Sequence, residues 1–471
     1  MVAAVGTAVV VACGPPGRHG RDVVVASGAE LESVNPLVTV HPLANEIDRY
    51  VLLTTLARRD SALVPTPYLA RAWQWAADRR TLRLALVSDL VWADGVSTSA
   101  RDVAWTLDAA RDPATGYPRA ADLAVVTGER AVDDSTLVIR FATAQSAFPD
   151  VLTDLAILPA HLLDTVARAR LRTADWNEHP IGNGPFRFVL HQPGRWVFAA
   201  NSAFPAALGG PPRVARLVVV VVSEPTTKLA GLVDGELDVA GVLPTHAAFV
   251  RRDPALRLLD YPMLFPYGLI FNCRRPPFSD PRTRLAAALA INRPAIVRGY
   301  LSGLGSPAWG PVPPGIPGRV PPRVYPLAPD SARRLLGRPV PFELLSVGSG
   351  DAVLEQMLQA DLDQAGFAVR IRELELSAYL DRVYGPRHDF DAAVLGIRGD
   401  PGLGYLGTLA QVAGLEPRED ARAMQRLFDD SIPVAFLYYA RGIQGVSRRL
   451  RGVRMDLRGE LVSVASWDVA P

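Results

Sequence analysis

The 471 residues amount to roughly three domains at about 150 residues each, and with 49% hydrophobic and 21% charged residues the composition excludes an intrinsically disordered chain. Fifty Lys and Arg against 48 Asp and Glu leave a formal charge of +2, too even for the broad positive field that holds nucleic acid by its phosphates. Two cysteines, Cys13 and Cys273, and seven scattered histidines without an HExxH or an i,i+4 pair exclude a structural zinc site and a disulfide framework.

Residues 1 to 12 are apolar or small without interruption and stop at Cys13-Gly14-Pro15-Pro16-Gly17. The run is shorter than the about 20 apolar residues that span a bilayer and has the size of the apolar core of an export signal. No Lys or Arg precedes it, so a buried strand and a cleaved or inactive signal stay open beside export. Val10-Val11-Ala12-Cys13 resembles the bacterial lipobox, whose cysteine becomes the lipid-bearing first residue of the mature protein. That resemblance makes residues 1–21 a signal and tether, with Cys13 as the lipidation site.

Val23-Val24-Val25-Ala26-Ser27 reads as a strand, followed by the turn signal Ser33-Val34-Asn35-Pro36 and a helix over Asn45 to Leu56. From Ala57 to Arg172 the pattern is one α+β unit. Thr81 to Leu86 and Leu137 to Phe141 alternate as strands, and the capping box Ser99-x-x-Asp102 opens a helix that Asp112-Pro113 ends. Pro180-Ile181-Gly182-Asn183-Gly184-Pro185 leads into a hairpin of Phe186 to Leu190 and Trp196 to Ala199. A strand at Leu217 to Val222, a helix at Thr226 to Val233 and a short strand at Leu237 to Ala240 follow.

Beyond Asp260 the chain starts another block with a strand at Tyr267 to Asn272, a helix begun by Asp280-Pro281 and a restart at Asn292-Arg293-Pro294. Gly305 to Pro329 is dense in Pro and Gly and reads as an extended loop. Strands at Pro341 to Val347, Phe367 to Ile371 and Phe390 to Ile397 alternate with helices at Asp351 to Ala365 and Ser377 to Tyr384, an order that implies a parallel sheet.

Chemistry motifs are sparse. Gly402-Leu403-Gly404-Tyr405-Leu406-Gly407 matches GxGxxG, which brings helix N–H groups onto a pyrophosphate, and makes a dinucleotide-dependent enzyme the alternative reading. The match does not directly follow a strand, and the chain has no GxxxxGK[ST] loop and no GxSxG elbow. No catalytic residue, metal site or cofactor is expected.

Four segments in fixed order resemble the peptide, dipeptide and nickel class of bacterial extracellular solute-binding proteins, family 5, the receptors of ABC importers. They are Leu90-Val91-Trp92-Ala93-Asp94-Gly95 with Ser99 to Leu107; Pro180 to Phe188, with Asn183 in place of a threonine; Leu232-Val233-Asp234-Gly235-Glu236-Leu237-Asp238-Val239; and Phe271-Asn272 to Asn292-Arg293 with Pro277-Phe278-Ser279-Asp280-Pro281-Arg282. The resemblance implies an α/β fold, a periplasmic-binding-protein-like clamshell of type II, cluster C-like, with an extra small α+β domain. Lobe I would comprise 22–57, 173–258 and 431–471, the inserted domain 58–172, and lobe II 259–430.

It further implies a non-catalytic receptor in the periplasm or at the cell surface. This receptor would be a lipid-anchored monomer that closes on an oligopeptide or similar solute and presents it to ABC permease subunits. A degenerate receptor without transport is a further alternative. Asp400, after the last strand of lobe II, matches the carboxylate that accepts a peptide's α-amino group. Arg398 is expected to pair with a ligand carboxylate, Val40 and His41 to line the cleft from lobe I, and Tyr405 and Trp309 to form apolar walls. After Asp400 the family's long helical segment is shortened, with about thirty residues before Ser431-Ile432-Pro433-Val434.

Overall fold

The computed structural model describes residues 20–348 and 352–470; Cys13 and the apolar run before it lie outside the described residues. Val-rich segments form the first half of the main sheet. Asp22–Ser27 pairs in parallel with Arg216–Val221 and Val239–Gly241, and its residues are nearly all buried, as β-branched strands covered on both faces require. The hairpin Phe186–Gln192 and Arg195–Ala200 extends this half at its edge. In the other half Phe367–Leu374, Val340–Val347 and Ala392–Gly396 run in parallel around the central Val340–Val347, as the alternating strand and helix order implies.

Two long antiparallel strands, Leu256–Phe271 of 16 residues and Val434–Ser447 of 14, lie between these halves and join them into one eleven-stranded sheet. Alternate residues of both strands enter opposite cores. Leu269, Phe271, Ala435 and Leu437 pack on one face, and Ile270, Val434, Phe436 and Tyr439 on the other. The register shifts at two places, across Pro262 to Pro266, where a bulge replaces the ladder, and between Tyr267 and Gly268. Neither proline has an N–H to give the ladder. The sequence reading found only the end of Leu256–Phe271, and the 434–447 strand not at all. Asp260, Pro262 and Pro266 interrupt the first pattern, and the second is apolar without alternation over its first half.

A separate antiparallel sheet runs Ala70–Trp75, Thr81–Leu86, Thr136–Phe141, Val126–Asp133 and carries the helix Ala100–Arg111. Ser99 and Asp102 form the expected capping box, and Asp102 also accepts from the Trp92 indole at 3.4 Å and the Ala160 N–H at 2.8 Å. The helix expected over Asn45 to Leu56 is shorter. His41 caps an α-helix at Pro42–Ile47, a π-helical turn follows at Asp48–Leu52, and the chain leaves extended at Leu53. Within the expected 305–329 loop, Gly305–Pro307 pairs with Tyr438 to Ala440, and regular structure resumes at the helix Pro329–Leu336.

The motif residues are buried braces. Asn183 is fully buried, accepts from the Thr54 N–H at 3.0 Å and donates to the Thr98 hydroxyl at 3.2 Å. Its neighbours must be glycine, since a Cβ at 182 would sit 2.1 Å from the Leu52 oxygen and one at 184 would sit 2.5 Å from the Val51 oxygen. Asp238 accepts two bonds of 2.6 Å from Arg449 and one of 2.9 Å from the Val24 N–H, tying three distant segments together. Arg293, 1% exposed, donates to the carbonyls of Ala288, Ala308 and Phe436. Removal from water pushes its pKa down to about 9.

Candidate functional site

The bulge in Leu256–Phe271 is bonded to the segment that carries the predicted ligand residues. The Ile397 N–H donates to Pro266 O and the Gly399 N–H to Leu264 O, both at 2.9 Å. Position 399 has no room for a side chain, because a Cβ would lie 2.5 Å from Leu264 Cγ. Arg398 stands between these two anchored residues and reaches the segment between the strand Asp22–Ser27 and the helix Pro42–Ile47, where its Nη1 donates to the Val40 carbonyl at 3.2 Å. Val40 is 64% exposed, and His41 beside it accepts from the Ala44 N–H at 3.4 Å. Burial holds the His41 imidazole below its ordinary pKa. Glu32 opposes that shift, and the Arg398 cation adds to it.

Asp400 accepts from the N–H groups of Gly404 at 3.3 Å and Tyr405 at 3.2 Å. It thus covers the start of the helix Tyr405–Ala413 with its own charge. This corrects the dinucleotide reading of Gly402–Gly407, whose helix N-terminus already holds a carboxylate and whose third glycine lies inside that helix. The Asp400 carboxylate keeps acceptor capacity beyond those two bonds. Asp150, from the chain segment of the small sheet, lies beside it; a Cβ on Gly402 would be 2.9 Å from Asp150 Oδ2 and 3.1 Å from Asp400 Oδ1. The Tyr405 hydroxyl donates to Pro311 O at 2.8 Å, and burial raises its pKa.

Trp309 stands apart from this group in its contacts. Its ring lies 4.4 Å from the Arg293 guanidinium, and it packs against the core of Leu269 and Phe271. The structure therefore brings Val40, His41, Arg398, Asp400 and Tyr405 to one crossing and joins Trp309 to the packing behind it. Two cavities, of about 390 Å³ lined by Tyr267, Tyr300 and Tyr438 and of about 700 Å³ lined by Gln356, Gln359 and Arg370, share no residue with this crossing. At the crossing, Arg398 already bridges to Val40.

Sequence reasoning missed the charges around Arg398. Arg49 and Arg119 converge on Asp154 at 3.0 and 2.9 Å, and Arg59 pairs with Asp150 at 2.8 Å. Burial works to raise the Asp154 carboxyl, but the Arg49 and Arg119 cations override it and hold it below the ordinary value. Burial and the like charge of Arg49 lower the Arg398 pKa. The Glu46 carboxyl accepts from the Leu461 N–H at 2.8 Å and is pushed up to about 8 by burial and by Glu460. No spacing marks these residues, which come from three distant segments and meet only in the fold.

A sheet continuous through two halves, two central strands as the joint and polar residues meeting across the gap define a two-lobed binding protein of the periplasmic type II class. The family model described as bacterial extracellular solute-binding proteins, family 5 Middle, matches residues 64–411, and the chain belongs to that family. Its members are solute-binding proteins, not enzymes. The chain is 28% identical over 430 residues to a di/tripeptide-binding protein of Pseudomonas aeruginosa, a match covering 84% of this chain and 78% of the relative. It is 27% identical over 394 residues to the glutathione-binding protein of Pectobacterium atrosepticum, covering 82% and 75%.

Against the Brucella ovis relative, 27% identical over 350 residues, the chain spans 65% of the relative's length. Among solved structures, NikZ of Campylobacter jejuni with Ni(L-His) superposes with a TM-score of 0.80 at 20% identity, covering 95% of this chain and 99% of that one. The oligopeptide-binding protein AppA of Bacillus subtilis with a nonapeptide gives 0.79 at 20% identity, covering 96% and 99%. Among the described residues no helix is long and apolar enough to cross a membrane.

Proposed function

We propose that this chain is the extracytoplasmic receptor of an ABC importer and captures a peptide-like solute between its lobes without making or breaking a bond in it. The observation that carries the reading is the crossing at Arg398 and Asp400. A cation and an anion two residues apart sit on a segment bonded to the bulge of the joining strand, and the cation reaches Val40 of the other lobe. A zwitterion matches that pattern, its ammonium on Asp400 and its carboxylate on Arg398, through charge-assisted hydrogen bonds. Closure is favoured only by contacts that the ligand makes in the closed state and not in the open one.

Lobe I is 22–57, 173–258 and 431–471, the inserted domain 58–172, and lobe II 259–430 in this reading. Val40, His41, Tyr405 and Trp309 are its remaining ligand-lining residues. The peptide and glutathione binders among the relatives support a peptide-like ligand. ABC permease subunits are the partner, and the receptor is a monomer anchored by lipid at Cys13.

Thermal shift of the purified chain against di- and oligopeptides, their N-acetylated forms, nickel chelates and oligosaccharides tests the reading. Free-amine peptides should raise the melting temperature according to RT ln(1 + [L]/Kd). Asp400→Asn should weaken free-amine peptides more than acetylated ones. Equal loss for both removes Asp400 from the role, and no shift with any peptide overturns peptide capture.

A further inference from the structure

The cavity of about 390 Å³ lies on the face of the joining strands opposite the crossing. Its Tyr267, Leu301 and Tyr438 pack with the core of Leu269 and Phe271, whereas Leu264, Ile397 and Tyr405 of the crossing pack with that of Ile270 and Phe436. Val242, Leu301, Leu304 and Ile443 give the cavity apolar walls, and Leu243 and Tyr300, 45% and 36% exposed, stand at its mouth. Tyr438 is only 2% exposed, yet its hydroxyl has no hydrogen-bond partner among the described residues. The same holds for the hydroxyls of Tyr267 and Tyr300, which line the same space. Buried polar groups are ordinarily paired, so three unpaired phenols around one cavity call for an acceptor from outside the chain.

The charges at this cavity decide what kind of acceptor fits. Arg441 is the one cation on the wall, and it is taken by Asp260, whose carboxylate accepts from Nε at 2.8 Å and whose carbonyl accepts from Nη2 at 3.1 Å. Glu355 acts on Tyr300 and Tyr438 from outside the wall and accepts from the Ser346 hydroxyl at 2.5 Å. Burial raises the pKa of all three tyrosines, so they are neutral donors. Tyr267 and Tyr438 stack on each other at 4.6 Å, which takes one face of each and leaves no open aromatic cage for a cation. We propose that this cavity is a second binding site, separate from the crossing, for a small neutral molecule with an apolar body and a carbonyl acceptor, such as an amide. The phenol hydroxyls donate to the carbonyl and the aliphatic walls take the body, in a volume within the range of small-molecule sites. An ion would give up its water there and meet no free partner.

Ligand-observed NMR titration of the full chain with benzamide, benzoate and benzylammonium, three probes of one size and different charge, tests the proposal. Benzamide should bind saturably at one site with a Kd of about 1 mM or tighter, as suits about nine heavy atoms, and the two ions about tenfold or more weakly. Tyr438→Phe should weaken benzamide about threefold to tenfold and leave the melting temperature unchanged or higher, because the hydroxyl it removes bonds nothing in the chain. Leu243→Trp should fill the mouth and abolish benzamide binding, while any rise in melting temperature given by peptides is kept. No saturable binding of benzamide, equal binding of the three probes, or a benzamide affinity unmoved in both variants overturns the site. Joint loss of the benzamide and peptide responses in a folded Leu243→Trp overturns its separateness from the crossing.

Discussion

Arg398 Nη1 donates to the carbonyl oxygen of Val40 at 3.2 Å, joining residues 358 positions apart in the chain. The bond ties the segment after the strand Ala392–Gly396 to the segment ahead of the helix Pro42–Ile47, and its acceptor is a neutral backbone group. Such a bond contributes about 0.5–1.5 kcal/mol, enough to bias a closed form without locking it. Arg398→Ala should therefore enlarge the ligand-free radius of gyration in small-angle X-ray scattering by raising the open population. A radius equal to that of the wild type contradicts this role.

Asp238 is fully buried, and Arg449, its partner in two bonds of 2.6 Å, retains a quarter of its side-chain exposure. Asp238→Ala leaves the Arg449 guanidinium without its carboxylate and releases the Val24 N–H, at an expected cost of about 3 kcal/mol in chemical denaturation. A loss below about 1 kcal/mol would mean that water reaches Arg449 readily and that the brace is dispensable.

Stability should depend on pH through Glu46. Its carboxyl ionises near 4.5 in the unfolded chain and near 8 in the folded one, raised by burial and by Glu460. Between those values the folded state keeps a proton that the unfolded state releases, so the contribution is complete below about 4.5 and is lost as pH climbs through about 8. The wild-type melting temperature should fall over that window. Glu46→Gln, which keeps an acceptor for the Leu461 N–H, should flatten the fall, and an equally steep fall in the variant would assign the effect elsewhere.

Cys13 lies outside the described residues, and its role rests on the lipobox pattern. Cys13→Ser should move the protein from the membrane fraction to the soluble one on cell fractionation. An unchanged distribution contradicts lipid anchoring at this position.

Elements whose side chains alternate by burial were legible in the sequence. The parallel strands of Val340–Val347 and Phe367–Leu374 and the capped helix Ala100–Arg111 follow local rules of period and capping. Leu256–Phe271 was legible only at its end, because Pro262 and Pro266 break the pattern at the bulge. The motif residues Asn183, Asp238 and Arg293 gave away the family, yet they act as buried braces. They hold lobe geometry and do not face the crossing. Arg398 and Asp400 were singled out by the family resemblance and not by any local pattern. Arg49, Arg119 and Asp154 were not, since three segments have to fold together before their charges meet, and no local pattern encodes that.

The central claim is that two lobes close on a peptide and leave it intact. Small-angle scattering of the purified chain with and without a saturating dipeptide, with mass spectrometry of the peptide afterwards, tests it most directly. The account predicts a smaller radius of gyration in the bound state and the dipeptide recovered whole. Saturable binding with no change in radius, or recovery of the free amino acids, would contradict it.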